Sequence, residues 1–149
     1  MKKREVGENY FKQGYNCSQA VVLTFIEEIG LDKEQALKIA SSFGGGIGRQ
    51  REVCGAVSGM VICLGALKGY SSYDNHTEKA NYYALVQNLC NKFKEKNGSI
   101  VCRELLGLSS PSNPTPEKRT DEYYKKRPCA SLVGDAVEIL EEYLNSINN

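Results

Sequence analysis

The stretch from Cys54 to Leu67, which decides the fold, reads CGAVSGMVICLGAL. Nearly all of its side chains are small or aliphatic, so a helix formed by this stretch has no polar face. A helix that is apolar all round lies inside a domain. The glycines in the stretch weaken a helix but allow neighbouring backbones to come close. We therefore expect a buried central helix that packs tightly against its neighbours.

Signals for the start and end of helices precede this stretch. Asn16 followed by Gln19 has the form of an N-cap with its capping-box partner, and Asp32 followed by Gln35 repeats the pattern. Gly30 follows the second predicted helix and supplies a C-terminal stop. The predicted helices before Cys54 cover about residues 3–13, 17–29 and 33–43.

The second half of the chain continues with helical patterns. A long helix capped by Asp74, Asn75 or Thr77 ends at Asn97-Gly98, and a short helix with the sequence IVCRELL ends at Gly107. Residues 108–128, with all four prolines, are predicted to form a loop. The apolar stripe of the long helix is predicted to consist of Tyr83, Val86, Cys90 and Phe93.

A last helix is predicted to begin at about Pro128. Its apolar residues recur at helical spacing and are Val133, Val137, Leu140, Leu144 and Ile147. No segment shows the alternation that is typical of a strand. The sequence therefore predicts one all-α domain over residues 1–149, a compact bundle of five or six helices.

Composition excludes several classes of protein. The 149 residues include 19 basic and 18 acidic ones, so no net field favours nucleic acid or a membrane surface. The first residues, MKKREVGENYFKQG, lack the apolar core of a signal peptide. The longest apolar run, from Val53 to Leu67, is shorter than the roughly 20 residues that span a bilayer. We expect a cytoplasmic protein that neither binds nucleic acid nor inserts into membranes.

A glycine-rich segment, FGGGIGRQR at 43–51, precedes the central helix. A phosphate-binding P-loop needs Lys and Ser or Thr after its last glycine, but Arg49 follows Gly48. A dinucleotide fingerprint needs a third glycine where Arg51 stands, with a strand in front, where this sequence predicts a helix. Both phosphate motifs are therefore absent, although Arg49 and Arg51 beside free backbone N–H groups still offer contacts to an anion.

The six cysteines fall into two groups. Four of them lie in the first turn of a predicted helix: Cys17, Cys54, Cys102 and Cys129. Unpaired N–H groups and the helix dipole favour a thiolate there and lower its pKa. Cys63 and Cys90 lie in the middle of helices on apolar faces, where cysteine behaves as a small hydrophobic residue. The alternative is that all six are simply buried, as free cysteine often is.

The position of the glycines favours a site at the four helix starts. Gly44, Gly45, Gly46 and Gly48, with Arg49, come just before Cys54 and allow other segments to approach it closely. We therefore predict that these five residues shape a site around the cysteine thiols.

These residues resemble those of the C_GCAxxG_C_C family, which is described as redox-active. The sequence CGAVSG at 54–59 matches the family's CGAxxG motif. Its single upstream cysteine is similar to Cys17 in YNCSQAV, and its two downstream cysteines to Cys102 in VCRELLG and Cys129 in RPCASLV. The resemblance covers nearly the whole chain and implies that these four cysteines carry a redox function. Cys63 and Cys90 lie outside the family pattern.

Several functions fit four thiols. They can ligate an iron–sulfur cluster, hold a structural zinc ion, or form one or two disulfides. The spacing does not decide, because the chain has no C-x-x-C pair, and a long loop separates Cys102 from Cys129. Dispersed ligands indicate a site that forms only in the finished fold.

Our prediction is that the four cysteines form one site, an iron–sulfur or other metal centre, that transfers electrons with an unidentified redox partner. The alternatives are a metal-free thiol–disulfide protein and a non-redox interaction module with structural cysteines or zinc.

Overall fold

The structure, a computed structural model, describes residues 1–148 and places most of them in helices. The helices are α1 (Lys3–Gln13), α2 (Cys17–Thr24), α3 (Ile26–Ile29), α4 (Lys33–Ser41), α5 (Gly55–Lys68), α6 (His76–Asn97), α7 (Cys102–Leu106), α8 (Asp121–Lys126) and α9 (Cys129–Ile147). An isolated antiparallel bridge joins Val53 to Val101, and the described residues contain no strand. The all-α prediction is confirmed.

The described helices number nine, more than the five or six predicted, and two of the additional helices have local causes. The predicted second helix divides at Phe25, where Thr24 Oγ1 donates to the Ala20 carbonyl at 2.8 Å, an interaction that bends helices. The predicted loop over 108–128 contains α8, because Thr120 Oγ1 accepts a hydrogen bond from the Tyr123 N–H and caps a short helix.

The predicted caps form as expected. The Asn16 side chain accepts from the Gln19 N–H at 2.9 Å, and the Gln19 side chain accepts from the Asn16 N–H at 3.2 Å. Asp32 caps α4, and Asn75, one of the three candidates, caps α6. These local bonds set the starts of the helices before any tertiary contact is considered.

The core lies between α2, α5 and α9. α5 packs along α2, α1 packs along α9, and α9 also contacts α2 and α5. The largest side chains buried there come from all three helices and from α1 and α6. The prediction that the stretch after Cys54 forms a buried helix is confirmed for the first three turns of α5, because residues 55–60, 63 and 64 are buried.

The predicted apolar stripe of α6 is shifted. Tyr83 is 51% exposed, whereas Leu89 and Phe93 are fully buried and Tyr82 packs against the core. The Tyr83 hydroxyl instead contacts the Tyr70 hydroxyl at the surface. On α9, the predicted Ile147 is likewise exposed, because it lies beyond the part of the helix that contacts its neighbours.

Among residues 1–148, we find no helix whose length and apolar character suffice to cross a membrane.

Candidate functional site

The starts of four helices meet at one cavity of about 280 Å³. Cys17, Cys102 and Cys129 are the first residues of α2, α7 and α9, and Cys54 immediately precedes α5. All four line the cavity. Cys17 is partly exposed, whereas the other three are buried. The structure thus brings together the four cysteines that the sequence placed at helix starts.

Gly55 allows the starts of α2 and α5 to touch. A Cβ atom on Gly55 would lie 2.8 Å from the Phe43 carbonyl oxygen and 3.1 Å from Cys17 Cβ. Only a residue without a side chain leaves room for this approach. The glycine of the CGAxxG motif therefore brings Cys17 to the cavity that Cys54 lines.

A short pairing of extended backbone brings Cys102 to the same place. The Cys54 N–H donates to the Ile100 carbonyl at 2.7 Å, and the Cys102 N–H donates to the Glu52 carbonyl at 2.5 Å. These bonds flank the bridge between Val53 and Val101. The pairing is too short to leave a pattern in the sequence, so sequence reasoning had no signal for it.

The glycine-rich segment forms a left-handed turn. Five consecutive residues, 45–49, have φ between 56° and 71°, and two of these, Ile47 and Arg49, are not glycine. Left-handed backbone is uncommon for such residues, and strained conformations of this kind cluster at functional sites. A Cβ atom on Gly46 would lie 2.8 Å from Cys102 Cβ, so the turn packs directly against a site cysteine.

The other residues predicted to shape the site lie around the cavity. Gly44, Gly45, Gly48 and Arg49 all line it. Their backbone positions are compatible with the predicted role, which stays a prediction.

The neighbouring thiols of Cys17 and Cys129 drive each other's pKa values apart. Interaction with Cys129 raises the pKa of Cys17 well above its usual range, and burial and the other nearby sulfurs add to the rise. Interaction with Cys17 lowers the pKa of Cys129 and outweighs burial, while Arg127 and Arg119 lower it further. Of the two thiols, Cys129 is therefore the one that ionises more readily.

The other two cavity cysteines favour the neutral thiol. Burial raises the pKa of Cys54 to about 12, although the Ala56 and Val57 N–H groups oppose this. Burial also raises the pKa of Cys102, against the effect of Arg51, whose Nη1 donates to Cys102 Sγ at 3.7 Å.

The expectation that helix starts lower the pKa of all four cysteines is therefore wrong for Cys17, Cys54 and Cys102. For Cys17 the chief cause is the interaction with Cys129, whereas for Cys54 and Cys102 it is burial, because a buried thiolate loses its hydration. In Cys129 the pKa falls chiefly because of its sulfur neighbour.

Arginines surround the thiols, and the sequence analysis singled out Arg49 and Arg51 but not Arg119 and Arg127. Arg51 is 5% exposed. Arg119 stacks on the Phe11 ring at 4.1 Å and donates to the Phe11 carbonyl at 2.9 Å. Arg127 stands two residues before Cys129, which is the only sequence signal for its role. Arg119 and Glu117 lie in a segment that reads as a solvated loop, so nothing in the sequence marks them.

The two remaining cysteines lie away from the cavity, as predicted. Cys63 is fully buried among apolar residues in the middle of α5, and burial raises its pKa to about 12. Cys90 on α6 is partly buried against the core.

The four cavity sulfurs suit zinc or an iron–sulfur cluster in their chemistry. Within residues 1–148, however, no three side chains of His, Cys, Asp or Glu are arranged closely enough to hold one metal ion. The sulfurs would have to draw together to ligate a metal, so the predicted metal centre stays a prediction.

A family model described as "Putative redox-active protein (C_GCAxxG_C_C)" matches residues 15–143. The chain belongs to the C_GCAxxG_C_C family. The match covers all four cavity cysteines and confirms the resemblance noted in the sequence. No curated protein and no solved structure matches this chain.

Proposed function

We propose that this member of the C_GCAxxG_C_C family is a thiol–disulfide redox protein whose reacting pair is Cys17 and Cys129. The observation that carries the proposal is that these two thiols, which are distant in sequence, line one cavity and shift each other's pKa in opposite directions. Thiol–disulfide exchange needs one thiolate and a second thiol within reach. Cys129 favours the thiolate, and Cys17 is its neighbour.

The two cysteines have different roles in this reaction. The Cys129 thiolate attacks a disulfide of the redox partner, the partner's sulfur–sulfur bond breaks, and a mixed disulfide forms. Cys17 then attacks Cys129 and releases the second sulfur of the partner. Two electrons pass from the protein to the partner, whose two leaving thiolates take up one proton from Cys17 and one from solvent, and one intramolecular disulfide forms.

Disulfide mapping tests the proposal. The reduced protein is equilibrated with glutathione buffers of graded potential, alkylated in acid and digested without reduction. We expect the oxidised protein to contain a bond between Cys17 and Cys129, identified by mass spectrometry. A stable oxidised form in which this bond is missing would contradict the proposal.

A metal centre is the second candidate, because four cysteines from four helices line the same cavity. The ligands would be Cys17, Cys54, Cys102 and Cys129. When bound, an iron–sulfur cluster would supply one-electron transfer, whereas zinc would stabilise the fold.

Purification without oxygen distinguishes the two candidates. Broad visible absorption with iron and acid-labile sulfide would indicate a cluster, and stoichiometric zinc in a colourless protein would indicate a structural site. We expect neither iron nor zinc in stoichiometric amounts, and a thiol count that falls by two on oxidation.

A further inference from the structure

One carboxylate in the cavity wall is surrounded by three guanidinium groups. Glu117 Oε1 lies 2.5 Å from Arg127 Nη2, 3.8 Å from Arg51 Nη2 and 3.9 Å from Arg49 Nη1. Glu117 and two of these arginines, Arg49 and Arg51, line the cavity that contains the four cysteines. Glu117 therefore shows that the guanidinium groups beside the thiols can bind a carboxylate.

Positive charge exceeds negative charge around this cavity. Arg119 also lines it, and among the described lining residues Glu117 is the one acid. Three arginines therefore line the cavity with one carboxylate, and Arg127 beside Glu117 is a fourth, so a single thiolate would still leave an excess of positive charge. This excess attracts anions to the cavity, including one that takes the place of Glu117.

Two of the three arginines make contacts that do not depend on Glu117. Arg51 Nε donates to Ser112 Oγ at 2.9 Å, and Arg49 Nε donates to the Asn113 carbonyl at 2.7 Å. The Glu117 side chain is 40% exposed and lies outside any helix, in the connection between α7 and α8. Glu117 can therefore leave while the guanidinium groups of Arg49 and Arg51 stay in position.

From this arrangement we infer that the arginine cluster of Arg49, Arg51 and Arg127 binds the carboxylate of a small disulfide, which replaces Glu117 and presents its sulfur–sulfur bond to Cys129. The inference rests on the proposed function of Cys17 and Cys129 and names the class of oxidant. The cavity volume of about 280 Å³ limits the ligand to a small molecule.

The reaction balances with this oxidant. The Cys129 thiolate attacks one sulfur of the disulfide, whose own sulfur–sulfur bond breaks, and the first carboxylate-bearing thiolate leaves. Cys17 then attacks Cys129 and expels the second. Two electrons move from the protein to the small disulfide, the two leaving thiolates take up two protons, and one protein disulfide remains.

Three small disulfides of different charge test the inference. They are the dianion dithiodiglycolate, the neutral hydroxyethyl disulfide and the dication cystamine. The rate at which each forms the Cys17–Cys129 bond in reduced protein is divided by its rate with 2-mercaptoethanol, which removes differences in intrinsic reactivity. We expect the normalised rate to be about tenfold higher for dithiodiglycolate than for the neutral disulfide, and lowest for cystamine.

Variants identify the binding groups. Glu117→Gln removes the competing carboxylate and is expected to raise the dithiodiglycolate rate by about tenfold, while Arg49→Gln lowers it. Glu122→Gln is the matched control, because Glu122 is exposed on α8 outside the cavity lining and its replacement changes the net charge equally. The control should leave the rate ratios unchanged.

The outcomes separate this inference from the proposed function. If all three disulfides form the Cys17–Cys129 bond at equal normalised rates, the carboxylate site is wrong and the reacting pair stands. A slower reaction in Glu117→Gln also overturns the site, because Glu117 would then support the arginines. If neither these disulfides nor the neutral oxidant diamide forms the bond, the proposed function itself fails.

Discussion

Cys54 and Cys63 lie at the start and in the middle of the same helix, and burial raises the pKa of both to about 12. Their surroundings differ. Cys54 lines a cavity with three other cysteines and several arginines, whereas Cys63 lies among the apolar side chains of the core. Burial and a raised pKa therefore do not distinguish a site cysteine from a core cysteine. The arginine and cysteine side chains around it do.

A difference in neighbours also explains why the pKa of Cys129 is lowered when those of the other cavity cysteines are raised. Cys129 is as buried as Cys102, each being 7% exposed, yet its pKa is lowered while that of Cys102 is raised. The difference lies in the interaction with the neighbouring Cys17 thiol, which lowers the pKa of Cys129. Contact with a second thiol decides the chemistry in this cavity.

The largest expected effect is the loss of disulfide formation when a cavity cysteine is replaced, compared with its retention when the core cysteine Cys63 is replaced. Cys17→Ser and Cys129→Ser should each abolish the intramolecular disulfide completely, because a hydroxyl cannot form it. Cys63→Ser should keep the disulfide and lower the free energy of unfolding by about 1–3 kcal/mol, because it puts a hydroxyl into an apolar core. Mass spectrometry of the oxidised proteins and urea unfolding measure these effects.

Cys90→Ser is the control for this series, because Cys90 is only partly buried and lies outside the cavity lining. It should keep both the disulfide and most of the stability. If Cys63→Ser formed no intramolecular disulfide while Cys17→Ser still formed one, Cys63 would be the redox cysteine and Cys17 would not.

A smaller effect is expected at the turn that borders the cavity. Gly46 and Gly48 both have positive φ, but their surroundings differ. A Cβ atom on Gly46 would lie 2.6 Å from the Glu52 nitrogen, whereas a Cβ atom on Gly48 would have no neighbouring atom within 4 Å. Gly48→Ala should therefore cost about 1–2 kcal/mol of backbone strain. Gly46→Ala should cost about 1–3 kcal/mol more because of overpacking.

Urea unfolding of both alanine variants measures this difference, and alkylation of Cys102 shows whether the cavity is disturbed. We expect faster alkylation in Gly46→Ala alone. Equal destabilisation of the two variants would show that the glycines serve only the turn, and that close approach to Cys102 has no energetic role.

The smallest expected effect concerns stability at alkaline pH. The pKa of Cys63 is about 12 in the folded chain, against about 8.5 for a free cysteine. Above the lower value the unfolded chain loses a proton that the folded chain keeps, so stability declines as the pH rises towards the folded value. Cys63→Ala should make this decline shallower by about 1 kcal/mol per pH unit, as followed by urea unfolding under reducing conditions.

Cys90→Ala provides the comparison, since Cys90 is partly exposed and its pKa is raised less far. It should change the slope less than Cys63→Ala. Identical slopes in Cys63→Ala and the unmodified protein would mean that the thiol of Cys63 ionises in the folded state.

Local interactions explain why so much of the fold was predictable. α1 covers the predicted residues, and the caps at Asn16, Asp32 and Asn75 lie where the side-chain pattern placed them. A cap and its partner are three residues apart, so the information lies within one turn. The predicted apolar stripe of α6 was wrong at Tyr83, because tertiary packing decides which face of the helix is buried.

The amino-acid sequence by itself determined the helical class, the starts of the helices and the separation of four cysteines from the two core ones. Capping residues mark the starts of helices, and apolar residues next to a cysteine in sequence predict that it is buried in the core. The tertiary structure alone decided that Cys17 contacts Cys129, and that Arg119 and Glu117 face the same cavity. These neighbours come from distant parts of the chain, and both their meeting and the pKa values that result from it depend on how the helices pack.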